Sequence, residues 1–317
     1  MLDGTTTAFV FPGQGSQQVG MGADLVEAFP AARSTFEEAD DIVGFALSTL
    51  CFEGPDDDLN DTVNTQPALY VMGIAIARVL SDELGSIRPA LMAGHSLGEL
   101  TALCAAGAME FAPGLRLVRE RGRLMKEAGT RSPGAMAAIL GLDVATVQAV
   151  CDEISATTGR TLVIANDNCD GQLVISGDRA AVEAALPLTL ERGAKRALPL
   201  AVSVASHSPL MQSITDEFRA ALDATEFAPP AVPVIGNVHA QPLTDVGAIR
   251  SELAAQLTSS VRWTESVQAM SRAGITTFVE LGPKDVLSGL IKRIDRSAER
   301  IALNSAAAVR AFLGTFA

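Results

Sequence analysis

The chain has 317 residues, enough for a large core and for one big domain with a smaller one beside it. Hydrophobic residues make up 48% and aromatics only 4%, so a packed globule built on Ala, Val, Leu and Ile is expected rather than disorder. A formal net charge of -13 argues against nucleic acid as a general partner, because neutralising phosphates takes clustered Lys and Arg.

Met1-Leu2-Asp3-Gly4 carries an acid where a secretory leader would carry bases. The most apolar run, from Ala68 to Leu80, is broken by Arg78 and is too short to span a bilayer. A cytoplasmic protein without a membrane partner is therefore expected. Cys51, Cys104, Cys151 and Cys169 show no C-x-x-C spacing and no histidine clustering. They read as reduced packing residues, with no metal site.

Thr6 to Phe11 reads as a buried strand, followed by the loop Pro12-Gly13-Gln14-Gly15-Ser16-Gln17. Helical patterns follow at Gly22 to Phe29 and Ala31 to Asp40, and Gln66-Pro67 opens a long apolar helix to about Leu84. Pro89-Ala90-Leu91-Met92-Ala93 is a short strand, Gly94-His95-Ser96-Leu97-Gly98 a sharp turn, and Glu99 to Gly107 a helix. An arginine-rich helix runs from Ala112 to Ala128. Long strands alternating with helices imply a parallel, doubly wound sheet.

From Gly134 the rhythm changes. Strands at Gly134 to Gly141, Thr161 to Ala165, Gln172 to Ser176 and Lys195 to Val202 alternate with helices at Asp143 to Ser155 and Asp178 to Arg192. Asn166 to Gly171 reads as the turn between the two middle strands. The order β-α-β-β-α-β is the ferredoxin-like unit, so residues 132–200 are expected to form an inserted subdomain, with 1–131 and 201–317 forming the large α/β domain. After it come a helix behind Ser208-Pro209, a strand at Val232 to Val238, a helix at Ala248 to Leu257, a strand at Thr277 to Leu281 and a helix after Gly282-Pro283.

The turn at Ser96 fits the G-x-S-x-G nucleophile elbow, whose glycines admit close backbone approach and whose helix aims free N–H groups at charge forming beside the serine. A chance glycine-serine turn is the competing reading. A serine nucleophile needs a base. His95 adjoins Ser96 within the turn and points away from it; His207 precedes the capping pair Ser208-Pro209 at a strand-to-helix corner; His239 ends a strand. Placement favours His207 over His239.

An oxyanion needs two donors, for which the Leu97 N–H and the loop Gly13-Gln14-Gly15 are suited. A phosphate cradle is the rival reading of that loop. It lacks the third glycine of a dinucleotide fingerprint, because that position is Gln18. Among Arg116, Arg119, Arg121 and Arg123, Arg121 precedes Gly122 and could be a buried clamp for a carboxylate, against the plainer reading of a solvated face paired with Glu120 and Glu127.

These segments together resemble the bacterial malonyl-CoA:acyl-carrier-protein transacylase family. The resemblance is carried by Phe9-Val10-Phe11-Pro12-Gly13-Gln14-Gly15-Ser16-Gln17, Thr65-Gln66-Pro67, Gly94-His95-Ser96-Leu97-Gly98-Glu99, Arg121-Gly122, Val204-Ala205-Ser206-His207 and Val261-Arg262-Trp263, and covers nearly the whole chain in order. It implies an α/β-hydrolase-like large domain with the inserted ferredoxin-like subdomain. It implies Ser96 as nucleophile, His207 as base, Arg121 as holder of the malonyl carboxylate, and the backbone N–H groups of Gln14 and Leu97 as oxyanion hole. It implies a backbone carbonyl from Ser260-Val261-Arg262-Trp263 as the group orienting His207, and places Asn166 near the substrate cleft. Some members carry Gln where this chain has Arg262. The partners implied are malonyl-CoA and an acyl carrier protein, with no cofactor. Lys195, Arg196, Lys284, Lys292 and Arg293 are candidates for a cationic patch receiving an acidic carrier. The rival readings are a serine esterase or thioesterase, an acyltransferase of a polyketide pathway or of a malonate decarboxylase, and a non-catalytic scaffold.

Overall fold

The computed structural model describes residues 4–85, 88–202 and 204–316. Among the described residues, eleven strands form two sheets. The larger contains β1 (Thr7–Phe11), β2 (Leu91–Gly94), β7 (Val234–Ile235), β8 (Pro242–Leu243), β10 (Thr277–Leu281) and β11 (Glu299–Leu303). The smaller contains β3 (Gly134–Leu140), β4 (Leu162–Cys169), β5 (Gln172–Asp178), β6 (Arg196–Pro199) and β9 (Val261–Arg262).

The large sheet has the order β11-β10-β1-β2-β7-β8. Its first five strands are parallel, and β8 runs antiparallel to β7 at the edge. All five residues of β1 and of β10 are buried, as expected of central strands covered by helices on both faces. On one face the helix Thr62–Leu84 packs against the helix Phe111–Arg131. Gly122 makes that contact possible: a Cβ there would lie 2.8 Å from the Thr62 carbonyl oxygen.

The small sheet has the order β6-β3-β5-β4-β9. The first four strands are antiparallel, with the first and third strands of the β-α-β-β-α-β unit in the middle, which is the ferredoxin-like arrangement. A fifth strand, β9, comes from beyond residue 200 and pairs parallel to β4, Asn166 opposite Val261. The chain that follows the unit thereby returns to extend the small sheet beside β4.

Three sequence expectations are corrected. The long helix starts at Thr62, not Gln66-Pro67. Asp61 caps it by accepting the Val63 N–H, and Pro67 lies inside it within a fully buried stretch. Burial and a strong cap outweigh the one backbone bond that Pro67 removes. Second, the polar string Asn166-Asp167-Asn168-Cys169 is strand rather than turn. It pairs with β5 through two register shifts and with β9 on its other edge, so ladder bonds override turn propensity. Third, Val232 to Val238 shrinks to the two residues of β7. The strand β11 and the helix Ala306–Leu313 carry no expectation in the sequence reading.

Candidate active site

Register positions the site. Val10 on β1 pairs with Ala93 on β2 and with Glu280 on β10. Four residues further along each chain stand Gln14, Leu97 and Lys284. Ala93 also pairs with Ile235 on β7, and Asn237 lies two residues beyond that. Four parallel strands thus end together and deliver these residues to one edge, the carboxyl edge where α/β sheets bind ligands.

Ser96 sits at the apex between β2 and the helix Leu97–Ala105, at φ 52 and ψ -106. A side chain rarely tolerates that conformation. The turn is also too tight for flanking side chains: a Cβ on Gly94 would come 1.9 Å from the Gly98 backbone, and one on Gly98 would come 2.0 Å from the Phe11 carbonyl oxygen. Asn237 holds the strained peptide from the next strand. Its Oδ1 accepts the Ser96 N–H at 2.6 Å and its Nδ2 donates to the Gly94 carbonyl at 2.7 Å.

The Ser96 Oγ lies 2.7 Å from His207 Nε2. His207 is buried and itself has a positive φ of 56. Its Nδ1 faces two carbonyl oxygens, Gln256 at 2.9 Å and Ser259 at 3.2 Å. Two acceptors there place the proton on Nδ1 and leave Nε2 free as a base. The orienting carbonyls come from residues 256 and 259, not from Ser260-Val261-Arg262-Trp263. Gln256 ends the helix Val246–Gln256, and the last carbonyls of a helix lack intrahelical partners. Burial, and then the Arg121 charge, push the imidazole down to about 3, so His207 is neutral at neutral pH, with Nε2 unprotonated.

Arg121 is 1% exposed, whereas its helix neighbours Arg116, Arg119 and Arg123 are exposed. Nη1 donates to Gln66 Oε1 at 2.7 Å; Nη2 donates to Gln256 Oε1 at 2.8 Å and to Ser96 Oγ at 3.1 Å. Its buried Nε has no partner. Burial draws the guanidinium down to about 10, with the Glu99 carboxylate opposing, so it stays charged. The plainer expectation for this helix holds for Arg123, which pairs with Glu120 and Glu127 at the surface.

Gly13 packs on the elbow so closely that a Cβ would be 2.4 Å from the His95 carbonyl oxygen. Among the described residues no acceptor satisfies the Gln14 or Leu97 N–H. Asn166 is 6% exposed on β4 and makes no hydrogen bond to Ser96, His207 or Arg121 among the described residues. Its neighbour Asn168 meets the elbow instead, with Oδ1 2.8 Å from His95 Nε2. His239 is exposed at the end of its loop.

A half-buried serine on a buried histidine, a charged guanidinium against the serine and two unpaired N–H groups at one sheet edge suit acyl transfer from an acid-bearing donor. The acyl transferase domain family matches residues 8–313. A malonyl CoA-acyl carrier protein transacylase of Bacillus subtilis is 46% identical over 94% of this chain and 93% of its own. One from Escherichia coli is 46% identical over 98% and 99%. The chain belongs to the malonyl-CoA:acyl carrier protein transacylase family. Solved structures agree. An acyl carrier protein S-malonyltransferase of Vibrio cholerae superposes with a TM-score of 0.92 at 46% identity, covering 97% of this chain and 99% of that one. A malonyl-transacylase in complex with its type II polyketide acyl carrier protein gives 0.94 at 45% identity, covering 98% and 99%.

Within this transacylase framework, sequence reasoning missed four polar residues. Gln256 is the most connected: its main chain orients His207, its Oε1 holds Arg121, and its Nε2 donates to the Ser96 carbonyl and to Glu99, each at 3.0 Å. Glu99, fully buried, also accepts the Asn237 N–H. Burial and the neighbouring Glu252 carboxyl raise Glu99 well above the usual carboxylate range. Gln66 and Asn237 are the others. A buried-helix position bearing Gln or Glu, as at 66, 99 and 256, is the available signal, since buried polar groups need partners.

Proposed function

We propose that the chain transfers the malonyl group of malonyl-CoA to the phosphopantetheine thiol of an acyl carrier protein through a malonyl-Ser96 intermediate, in fatty acid or polyketide synthesis. The observation that carries this reading is Arg121, a buried charged guanidinium with an unpartnered Nε, 3.1 Å from the nucleophile. It supports an anionic acyl group because a free carboxylate can engage guanidinium donors that water cannot reach.

His207 Nε2 takes the Ser96 hydroxyl proton as Oγ attacks the thioester carbonyl. The oxygen's new charge falls on the N–H groups of Gln14 and Leu97, at the edge where the helix Leu97–Ala105 begins. Collapse breaks the C–S bond and releases CoA thiolate, which takes the proton from His207. In the second half the carrier thiol gives its proton to His207 and attacks the ester; collapse returns the proton to Ser96. When the malonyl carboxylate pairs with Arg121, it also removes part of the charge that holds His207 down, so the base strengthens once substrate is seated.

Intact-protein mass spectrometry after incubation with malonyl-CoA tests the reading. A malonyl adduct is expected on the native chain, absent from Ser96→Ala, and discharged on adding acyl carrier protein. An adduct lost to water at the same rate with or without the carrier would favour a thioesterase.

A further inference from the structure

Lys284 is four residues beyond the Val10-paired position of β10, as Gln14 is on β1. Its ammonium turns back onto the oxyanion loop, donating to the Gln17 carbonyl at 2.9 Å and reaching the Gly15 carbonyl at 3.5 Å. Its backbone lies at φ 61, uncommon for a residue with a side chain, and Asn304 Nδ2 donates to its carbonyl at 3.0 Å. The two loops interlock: a Cβ on Gly282 would come 2.5 Å from Pro12. From inside the same loop, Ser16, 1% exposed, sends its Oγ–H to the Gly13 carbonyl at 2.7 Å, with its own N–H on that oxygen at 3.3 Å.

The Gly13 carbonyl and the Gln14 N–H are two ends of one peptide group. Donors on the carbonyl end fix that plane, and they polarise it so that the N–H end becomes a stronger donor. Lys284 holds the Gly15 and Gln17 carbonyls on either side of Ser16 and so braces the residue that donates to the Gly13 carbonyl. We propose that Ser16 and Lys284 are positioning residues that orient and strengthen the Gln14 N–H as an oxyanion donor. This rests on the reading of that N–H given above. It also removes Lys284 from the cations free to receive a carrier protein, because its ammonium is engaged by the loop.

The test uses Ser16→Ala and Lys284→Met; the methionine keeps the stem and the backbone strain and removes the charged donor. Two probes separate ground state from tetrahedral state: a dethia-carba analogue of malonyl-CoA bound to the Ser96→Ala background, and a difluoromethylene ketone isostere that Ser96 converts to a hemiketal. Each variant is expected to lower kcat about tenfold with KM within about twofold, since it weakens a donor whose outright loss lowers kcat by about 10²–10³. Affinity for the ketone should fall in parallel while carba-analogue binding holds, and Lys284→Arg should restore most of the rate. Equal losses for both probes, or none, would overturn the positioning role. Gln14→Pro deletes the donor itself. Ketone binding that survives Gln14→Pro would refute the oxyanion reading, whereas binding lost in Gln14→Pro but intact in Ser16→Ala and Lys284→Met would refute this inference alone.

Discussion

The two faces of the helix Phe111–Arg131 carry the same residue type under opposite conditions. Arg123 lies in water, bridging Glu120 and Glu127, and exposed pairs of this kind contribute little because solvent and salt screen them. Arg121, half a turn away, is 1% exposed and forms no salt bridge among the described residues; two glutamines and a serine hydroxyl are its acceptors. An arginine kept charged on neutral acceptors retains the capacity to bind an anion. The comparison teaches that side-chain identity says little about role until burial is known.

The largest expected effect is on the buried face. Arg121→Ala removes a bidentate charge-assisted contact worth about 3–6 kcal/mol, so kcat/KM for malonyl-CoA should fall about 10²–10⁴-fold. Transfer of an acetyl group should fall far less. Steady-state kinetics with both donors decides it, and an equal loss for the two would break the comparison. Gln66→Leu leaves Arg121 one acceptor short and should lower malonyl kcat/KM about tenfold by letting the guanidinium drift from its aim.

The pH profile sharpens the same point. His207 is pushed down to about 3 by burial and by Arg121, so single-turnover acylation should stay flat from pH 7 to about pH 5. In Arg121→Met the acid limb should move upward; a limb near 6.5 in the native chain would contradict the assignment. The stability link has a definite sign. The unfolded imidazole binds a proton below about 6.5 and the folded one does not until about 3, so this group's contribution is complete above 6.5 and is lost as pH falls between those values. The smallest effect belongs to the exposed face: Arg123→Ala should leave kcat/KM unchanged and move Tm by less than about 3 °C in a melting curve.

Much of this was legible in the sequence because it depends on local backbone rules. The elbow at Ser96 needs Gly94 and Gly98 at fixed offsets, and Ser208-Pro209 marks the corner that presents His207. The β-α-β-β-α-β rhythm was equally plain, since period and turn residues alternate within it. What was not legible depends on contacts across long separations. Gln256 reaches Ser96, Arg121 and His207 from 49 to 160 residues away in sequence. Its only local mark is a polar residue on the buried face of a helix, which names no partner. Asn166 to Cys169 misled because Asn and Asp favour turns on their own, while pairing to β5 and β9 decides their state here. The carbonyls behind His207, from Gln256 and Ser259, lie just before the segment that the resemblance implied, and one of them belongs to the end of the helix Val246–Gln256.

The neutral acceptors behind His207 bear on the competition between water and thiol. A carboxylate partner would stabilise the imidazolium and make a strong base; a carbonyl carries no net charge to do so. Ser96 overcomes this because its Oγ is already aligned on Nε2 at 2.7 Å and accepts from the Arg121 guanidinium, whereas an incoming nucleophile brings only its own acidity. A thiol, with a pKa of about 8.5, lies some seven units below water at about 15.7. On the route proposed above, a malonyl-Ser96 ester would face water with a base poorly matched to activating it. On that route, its persistence until the carrier arrives rests on that mismatch, and the acidity of the incoming nucleophile sets the choice between thiol and water.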